Sequence, residues 1–197
     1  MEVIQNLYNN ISYIYPHSDI WIIGHSLGGA LGSLLGTTFG VPVVTFEAPG
    51  ERMASQRLHL PSPVPPSPPT ASLLTDSQTS SQPSTHHITH VYHTADPVPM
   101  GTCNGVLSSC ATTGFAMESR CHQGKTIVYD TVSNLSWSVD LRSHPIANMI
   151  ETILADPWPP AEELGREVPE AVPQGDDCVV SIPFHGQCSL SRRPRPS

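Results

Sequence analysis

Apolar positions set the outline of the chain. Val3, Ile4, Leu7, Ile11 and Ile14 recur at three- and four-residue intervals, which predicts an amphipathic helix over 3–15, and Pro16-His17-Ser18-Asp19 ends it. Ile20–Ile23 is apolar at every position, the pattern of a parallel strand covered on both faces. A second helix follows, with Gly28, Gly32, Gly36 and Gly40 four apart on one stripe beside Ala30, Leu31, Leu34 and Leu35. Small residues at that spacing let a helix press against a sheet. Val41–Phe46 reads as the next strand, so a right-handed βαβ unit is complete by residue 46.

The texture then changes. Residues 60–85 are mostly Pro, Ser, Thr and Gln without an aromatic side chain, and this predicts a disordered surface insertion that buries too little apolar area to offset its ordering entropy. His87–His93 resumes strand alternation, and Thr94–Pro99 follows at its carboxyl end. Residues 100–124 read as a cysteine- and glycine-bearing loop. Thr126–Asp130 and Ser136–Leu141 read as two short strands of a hairpin joined by Thr131–Leu135. Pro145 opens a helix through Ile146, Ala147, Met149, Ile150, Ile153 and Leu154. Beyond Ala155 the chain is proline-rich and acidic, with no fold of its own expected. The fold class is therefore α/β: a parallel-sheet domain over 1–155 carrying the insertion, then a tail over 156–197.

Composition narrows the function classes. The 197 residues include 21 prolines and carry a net charge of −8, which argues against a general nucleic-acid binder. Residues 151–177 hold eight acids against Arg166 alone, whereas Arg192, Arg193 and Arg195 crowd the end, the pattern of solvated segments. No basic region followed by an apolar core opens the chain, so no signal peptide is visible. Ile20–Phe46 contains no Asp, Glu, Lys or Arg, but its six glycines and Pro42 make a poor bilayer segment, and buried strand, helix and strand fit better.

Five cysteines, Cys103, Cys110, Cys121, Cys178 and Cys188, point to disulfide chemistry and a secretory or lumenal compartment. The rival is zinc, disfavoured because Cys-x6-Cys-x10-Cys-His lacks the short paired spacing of such sites. His86, His87, His90 and His93 also hint at metal, but strand alternation scatters them over two faces, so no metal ligand set is assigned. Asn10 and Asn134 open glycosylation sequons.

Chemistry concentrates at Gly24-His25-Ser26-Leu27-Gly28. In Gly-x-Ser-x-Gly the serine sits on a sharp strand-to-helix elbow where side chains two positions away collide unless they are hydrogens, and Gly24 and Gly28 are read as supplying them. The backbone N–H of Leu27, at a helix start, then faces the place where a carbonyl oxygen becomes an oxyanion. The bare motif arises by chance in roughly one chain in fifteen of this length, so its strand–turn–helix context carries the weight. A serine hydroxyl needs a base, usually a histidine held by a carboxylate, and α/β-hydrolases present these in the order Ser, acid, His. Asp96 lies at a strand's carboxyl end, the rim where such sites form, and is preferred as the acid over Asp130, Asp140, Glu47 and Glu118. His144 is preferred as the base, since His122 adjoins a cysteine and His185 lies in the tail. His25 is read as shaping the elbow. No cofactor is required.

Four blocks, Gly24–Gly29, Thr45–Glu51, His93–Gly105 and Ala116–His122, resemble the autophagy-related vacuolar lipases of fungi, a branch of the class 3 lipase family. The resemblance covers roughly residues 3–178. It implies a partial α/β-hydrolase fold and a triad matching Ser26, Asp96 and His144. It also implies hydrolysis of acyl esters in triacylglycerol and phospholipid, breaking the membranes of autophagic and multivesicular bodies. The implied setting is a lumenal glycoprotein with one N-terminal membrane anchor, travelling through endoplasmic reticulum and Golgi to the vacuole. Met1 falls only in the helix before the nucleophile strand, so the anchor, the strands on one side, the second oxyanion donor and the lid are expected to be lacking. Val179–Ser197 departs from the family's tail. The alternative is a catalytically incompetent fragment that at most binds lipid or a partner, and a peptidase or thioesterase using the same triad is a third reading that the four blocks disfavour.

Overall fold

A computed structural model describes residues 2–60, 87–102 and 119–174. Nearly all of the predicted insertion, most of the cysteine loop and the basic end lie outside the described residues. The elements are α1 (Glu2–Ile14), β1 (Ile22–His25), α2 (Leu27–Phe39), β2 (Val43–Phe46), α3 (Arg52–Arg57), β3 (Ile88–His93), β4 (Lys125–Tyr129), α4 (Thr131–Leu135), α5 (Ile146–Asn148), α6 (Pro159–Glu162) and β5 (Val172–Pro173). The strands lie in the order β1-β2-β3-β4-β5, the first four parallel and β5 antiparallel to β4. Among the described residues no helix is long and apolar enough to cross a membrane.

Register sorts the side chains onto two faces. Gly24 pairs with Thr45, Thr45 with His90 and His90 with Thr126, a polar row, whereas Phe46 pairs with Val91 and Val91 with Ile127, an apolar row. The polar row lies under α2. That helix approaches closely because Gly29, Gly32 and Gly36 face the sheet: a Cβ on Gly36 would lie 2.0 Å from Val43 Cγ2, and one on Gly32 2.9 Å from Ile22 Cγ2. The predicted stripe therefore holds at 32 and 36 but not at its ends. Gly28 faces open space, and Gly40 ends the helix in the left-handed region at φ 67°.

The apolar face carries a core of Val91, Tyr129, Met149, Ile153, Trp158 and Ala161, with Val44, Phe46, Ile127, Trp137 and Ile146 packed around it. Met149–Ile153 is a π turn continuing α5, and it turns Met149 and Ile153 inward. Burying each large side chain here contributes on the order of 1.5–3 kcal/mol. Trp158 meets the Tyr129 ring edge-on at 5.2 Å, so the chain beyond Ala155 is packed on the sheet, contrary to the reading of a foldless segment. β5 follows and pairs Val172 with Thr126.

The predicted hairpin is also replaced. Thr131–Leu135 is helical because Asp130 Oδ1 accepts from the Ser133 N–H at 3.1 Å, an N-cap, and Ser136 then leaves the helix at φ 54°. Ser136–Leu141 forms no strand, and the pairing edge of β4 is taken by β5. At the other end, β1 is the outer strand of the described sheet and leaves Trp21 and Ile23 exposed. Helix α1 buries no residue, and Tyr8 stacks on Phe39 at 4.1 Å.

Candidate active site

Ser26 sits between β1 and α2 with φ 55° and ψ −131°, a conformation that side-chain-bearing residues rarely adopt. Its own N–H donates to the Phe46 carbonyl at 2.9 Å, and its carbonyl accepts from Gly29 and Ala30, so the elbow is held at both strand and helix. Gly24 is required by space: a Cβ there would lie 2.6 Å from the Gly28 carbonyl oxygen. The expectation that Gly28 plays the same part is corrected, since a Cβ there meets nothing within 4 Å. Gly29 plays it instead, at 2.9 Å from Ala48 Cβ and 3.0 Å from the Gly24 carbonyl oxygen. Leu27 is the first residue of α2, where an N–H has no acceptor within the helix.

Asp96 and His144 reach the same rim from other segments. Asp96 follows β3 and is fully buried; its Oδ1 accepts from the Val98 N–H at 2.9 Å, and its Oδ2 lies 2.6 Å from His144 Nδ1. His144 Nε2 lies 2.8 Å from Ser26 Oγ. With Nδ1–H donating to the carboxylate, the Nε2 lone pair is turned to the serine hydroxyl. Two further histidines brace the loop: His25 Nε2 donates to the His144 carbonyl at 3.0 Å and His93 Nε2 to the Ser143 carbonyl at 3.3 Å. Burial holds His93 below the usual histidine range. Ser143 Oγ and Asp140 N–H both donate to the Ala95 carbonyl, tying the histidine's loop to the aspartate's.

The rival candidates are occupied elsewhere. Asp130 caps α4, and Asp140 caps the 3-10 turn Leu141–Ser143 while pairing with exposed Arg142. His122 is buried on the polar face beside Glu51 and His90. Glu118 and His185 lie outside the described residues. Asn10 and Asn134 are both exposed.

Two buried carboxyls lie close by: Glu47, a rival acid in the sequence, and Glu51, to which the sequence reading gave no role. Glu47 is fully buried at φ 47°, with Oε1 3.7 Å from His93 Nε2. Burial, reinforced by the adjoining Asp96, pushes its pKa up to about 11. Glu51 immediately precedes α3 but makes no side-chain capping bond to it; its Oε1 accepts from Ser33 Oγ at 2.7 Å and from the Gln123 N–H at 3.0 Å. No period-two pattern records the position of Glu47, because its φ of 47° turns it from the Thr45 face toward His93. A cavity of about 400 Å³ lies at the amino end of the elbow strand between Tyr8, Tyr15, Trp21 and Pro42, away from the triad.

A parallel sheet whose carboxyl edge presents a serine on a strand-to-helix elbow, with acid and histidine following in that order, defines the α/β-hydrolase class. No family model matches the chain. It is, however, 56% identical over 158 residues to a Cryptococcus neoformans var. neoformans serotype D (strain B-3501A) protein named "Putative lipase ATG15", an alignment covering 80% of this chain and 28% of that protein. Proteins of the same name from Mycosarcoma maydis and Kluyveromyces lactis are 55% and 47% identical over 155 residues, covering 79% of this chain and 28% and 26% of theirs. The chain belongs to this ATG15-like lipase family. It spans just over a quarter of the length of the curated relatives it matches.

Proposed function

We propose that the chain carries the hydrolytic centre of a serine acyl-ester hydrolase acting on triacylglycerol and phospholipid. The observation that carries this reading is the line from Asp96 Oδ2 through His144 to Ser26 Oγ, at 2.6 and 2.8 Å, ending on a strained elbow. Ser26 Oγ attacks the ester carbonyl carbon while its proton passes to His144 Nε2, and buried Asp96 stabilises the imidazolium. The developing oxyanion lies against the Leu27 N–H at the positive end of α2. His144 returns the proton to the departing alcohol, and water repeats the sequence to release the acid.

The relatives' printed name supports a lipid ester as substrate, and exposed Leu27, Ile23 and Trp21 beside the elbow suit an apolar interface. The proposed setting is the membranes of autophagic and multivesicular bodies in a vacuolar lumen. A disulfide at Cys121 supports an oxidising compartment, and exposed Asn134 is open to glycosylation. In the test, purified chain should hydrolyse a short acyl ester and Ser26→Ala should abolish turnover with an unchanged circular dichroism spectrum. Equal rates in the two proteins would sink the assignment. The exposed apolar side chains of α1 and β1 favour a second reading, a non-catalytic module binding lipid or a partner, for which vesicle binding without esterolysis is the distinguishing outcome.

A further inference from the structure

On the face of the sheet beneath α2, one carboxylate and two imidazoles converge from three separate segments. Glu51 precedes α3, His90 lies mid-strand in β3, and His122 comes from the segment leading into β4. Their exposures are 3%, 1% and 0%. One ligand atom from each lies within 4.8 Å of the others. Glu51 Oε1 is 3.2 Å from His90 Nε2, and Glu51 Oε2 is 3.6 Å from His122 Nδ1. Even so, Glu51 Oε2, His90 Nε2 and His122 Nδ1 complete no hydrogen bond of acceptable geometry. Three polar atoms left unsatisfied in one dry spot are uncommon and call for a ligand or a proton.

The atoms on the far side of each group are held. His122 Nε2 lies 3.1 Å from the Pro99 carbonyl oxygen, which can only accept, so Nε2 carries the hydrogen and the Nδ1 of the neutral ring is a lone pair. His90 Nδ1 lies 2.7 Å from Thr45 Oγ1, a hydroxyl that can accept its hydrogen, and in that tautomer Nε2 offers a second lone pair to a metal. Glu51 Oε1 is fixed by Ser33 Oγ and the Gln123 N–H. An imidazole whose other nitrogen donates to a protein oxygen is how metal-ligating histidines are oriented. Four-coordinate zinc with bonds of about 2.0–2.1 Å places its ligand atoms about 3.3 Å apart, a spacing that one atom from each residue, all within 4.8 Å of one another, reaches with small side-chain shifts.

We propose that Glu51, His90 and His122 form a zinc-type divalent-metal site, with the fourth position open to water, that joins β3 to the segments entering α3 and β4. Two imidazoles with one carboxylate suit zinc above magnesium or calcium, which prefer oxygen ligands alone. None of the three touches Ser26 or His144 by any bond described above, so the proposal stands apart from the esterase reading. Strand alternation separates His90 from His87 and His93 but says nothing of His122, which arrives from elsewhere in the chain.

The full chain, stripped with a chelator and dialysed against zinc chloride, is expected to retain about one zinc per chain. X-ray absorption should show nitrogen and oxygen neighbours without sulfur, which separates this site from the cysteines. His122→Gln and Glu51→Gln should each weaken zinc binding by roughly tenfold or more, with exposed His17→Gln as the unaffected control. Circular dichroism checks each variant, and should one unfold, the absorption spectrum of the unaltered chain decides. The proposal is overturned by less than about a tenth of a zinc per chain, by sulfur in the coordination shell, or by undiminished zinc in folded His122→Gln. A nitrogen NMR signal of an imidazolium at His122 in zinc-treated protein would show an ion pair with Glu51 in its place.

Discussion

Glu47 and Glu51 stand four residues apart and are both buried, yet their surroundings drive them to opposite charge states. Glu47 lies beside Asp96, and burial together with that neighbour keeps its proton on, with a pKa near 11. Glu51 meets the same penalty from burial, but the facing His90 and His122 outweigh it and hold the carboxyl well below its ordinary range. Burial is the chief cause of the Glu47 shift and is overturned at Glu51. The neighbour separates the two: a second carboxyl adds to burial in one case, and two imidazoles reverse it in the other.

The largest expected effect lies on the Glu47 side. Asp96→Asn should lower kcat by about 10⁴-fold in an esterase assay, because the amide favours the wrong tautomer of His144. Next comes Glu51→Ala, which leaves Ser33, the Gln123 N–H and two imidazoles facing no carboxylate. It should cost about 3–5 kcal/mol in urea unfolding, and a loss below 1 kcal/mol would erase the contrast between the two glutamates.

The pH dependence of Glu47 is smaller and has a definite sign. Its folded pKa, about 11, lies above the ordinary 4.5, so its contribution is fully present below pH 4.5 and is lost as pH rises toward 11. Its share of the unfolding free energy should decline by up to about 1.4 kcal/mol per pH unit between pH 5 and 7. Glu47→Gln, which keeps the shape of the neutral acid, should flatten that decline, and matching slopes in the two proteins would contradict it. The smallest effect concerns the elbow helix. Gly28→Ala should raise stability by about 0.5–1 kcal/mol, since a Cβ there meets nothing, whereas Gly29→Ala should destabilise.

The order and rim position of Ser26, Asp96 and His144 were legible because strand ends in a parallel sheet are marked by where apolar runs stop. The structure brings those same three residues together. Gly28 was misread because a motif records spacing, while the close approach belongs to whichever glycine faces the strand, here Gly29. Thr131–Leu135 was read as a turn because Asp130 serves a turn and a helix cap equally well in sequence. Trp158 was missed for the opposite reason: an acidic, proline-rich stretch can still be seated by one aromatic ring, and composition averages that ring away. The Glu51, His90 and His122 group assembles only through tertiary contact, which no local pattern records.

The hydrogen bonds of the catalytic line join residues 118 and 48 positions apart, while the strained elbow at Ser26 is made locally with its own helix and the end of β2. Loop-closure entropy makes such distant pairings costlier to form than local ones. The elbow is thus set by nearby bonds, and its alignment with His144 and Asp96 by distant ones. The proposed catalytic line therefore exists only where both distant pairings are closed, whereas the elbow needs neither of them.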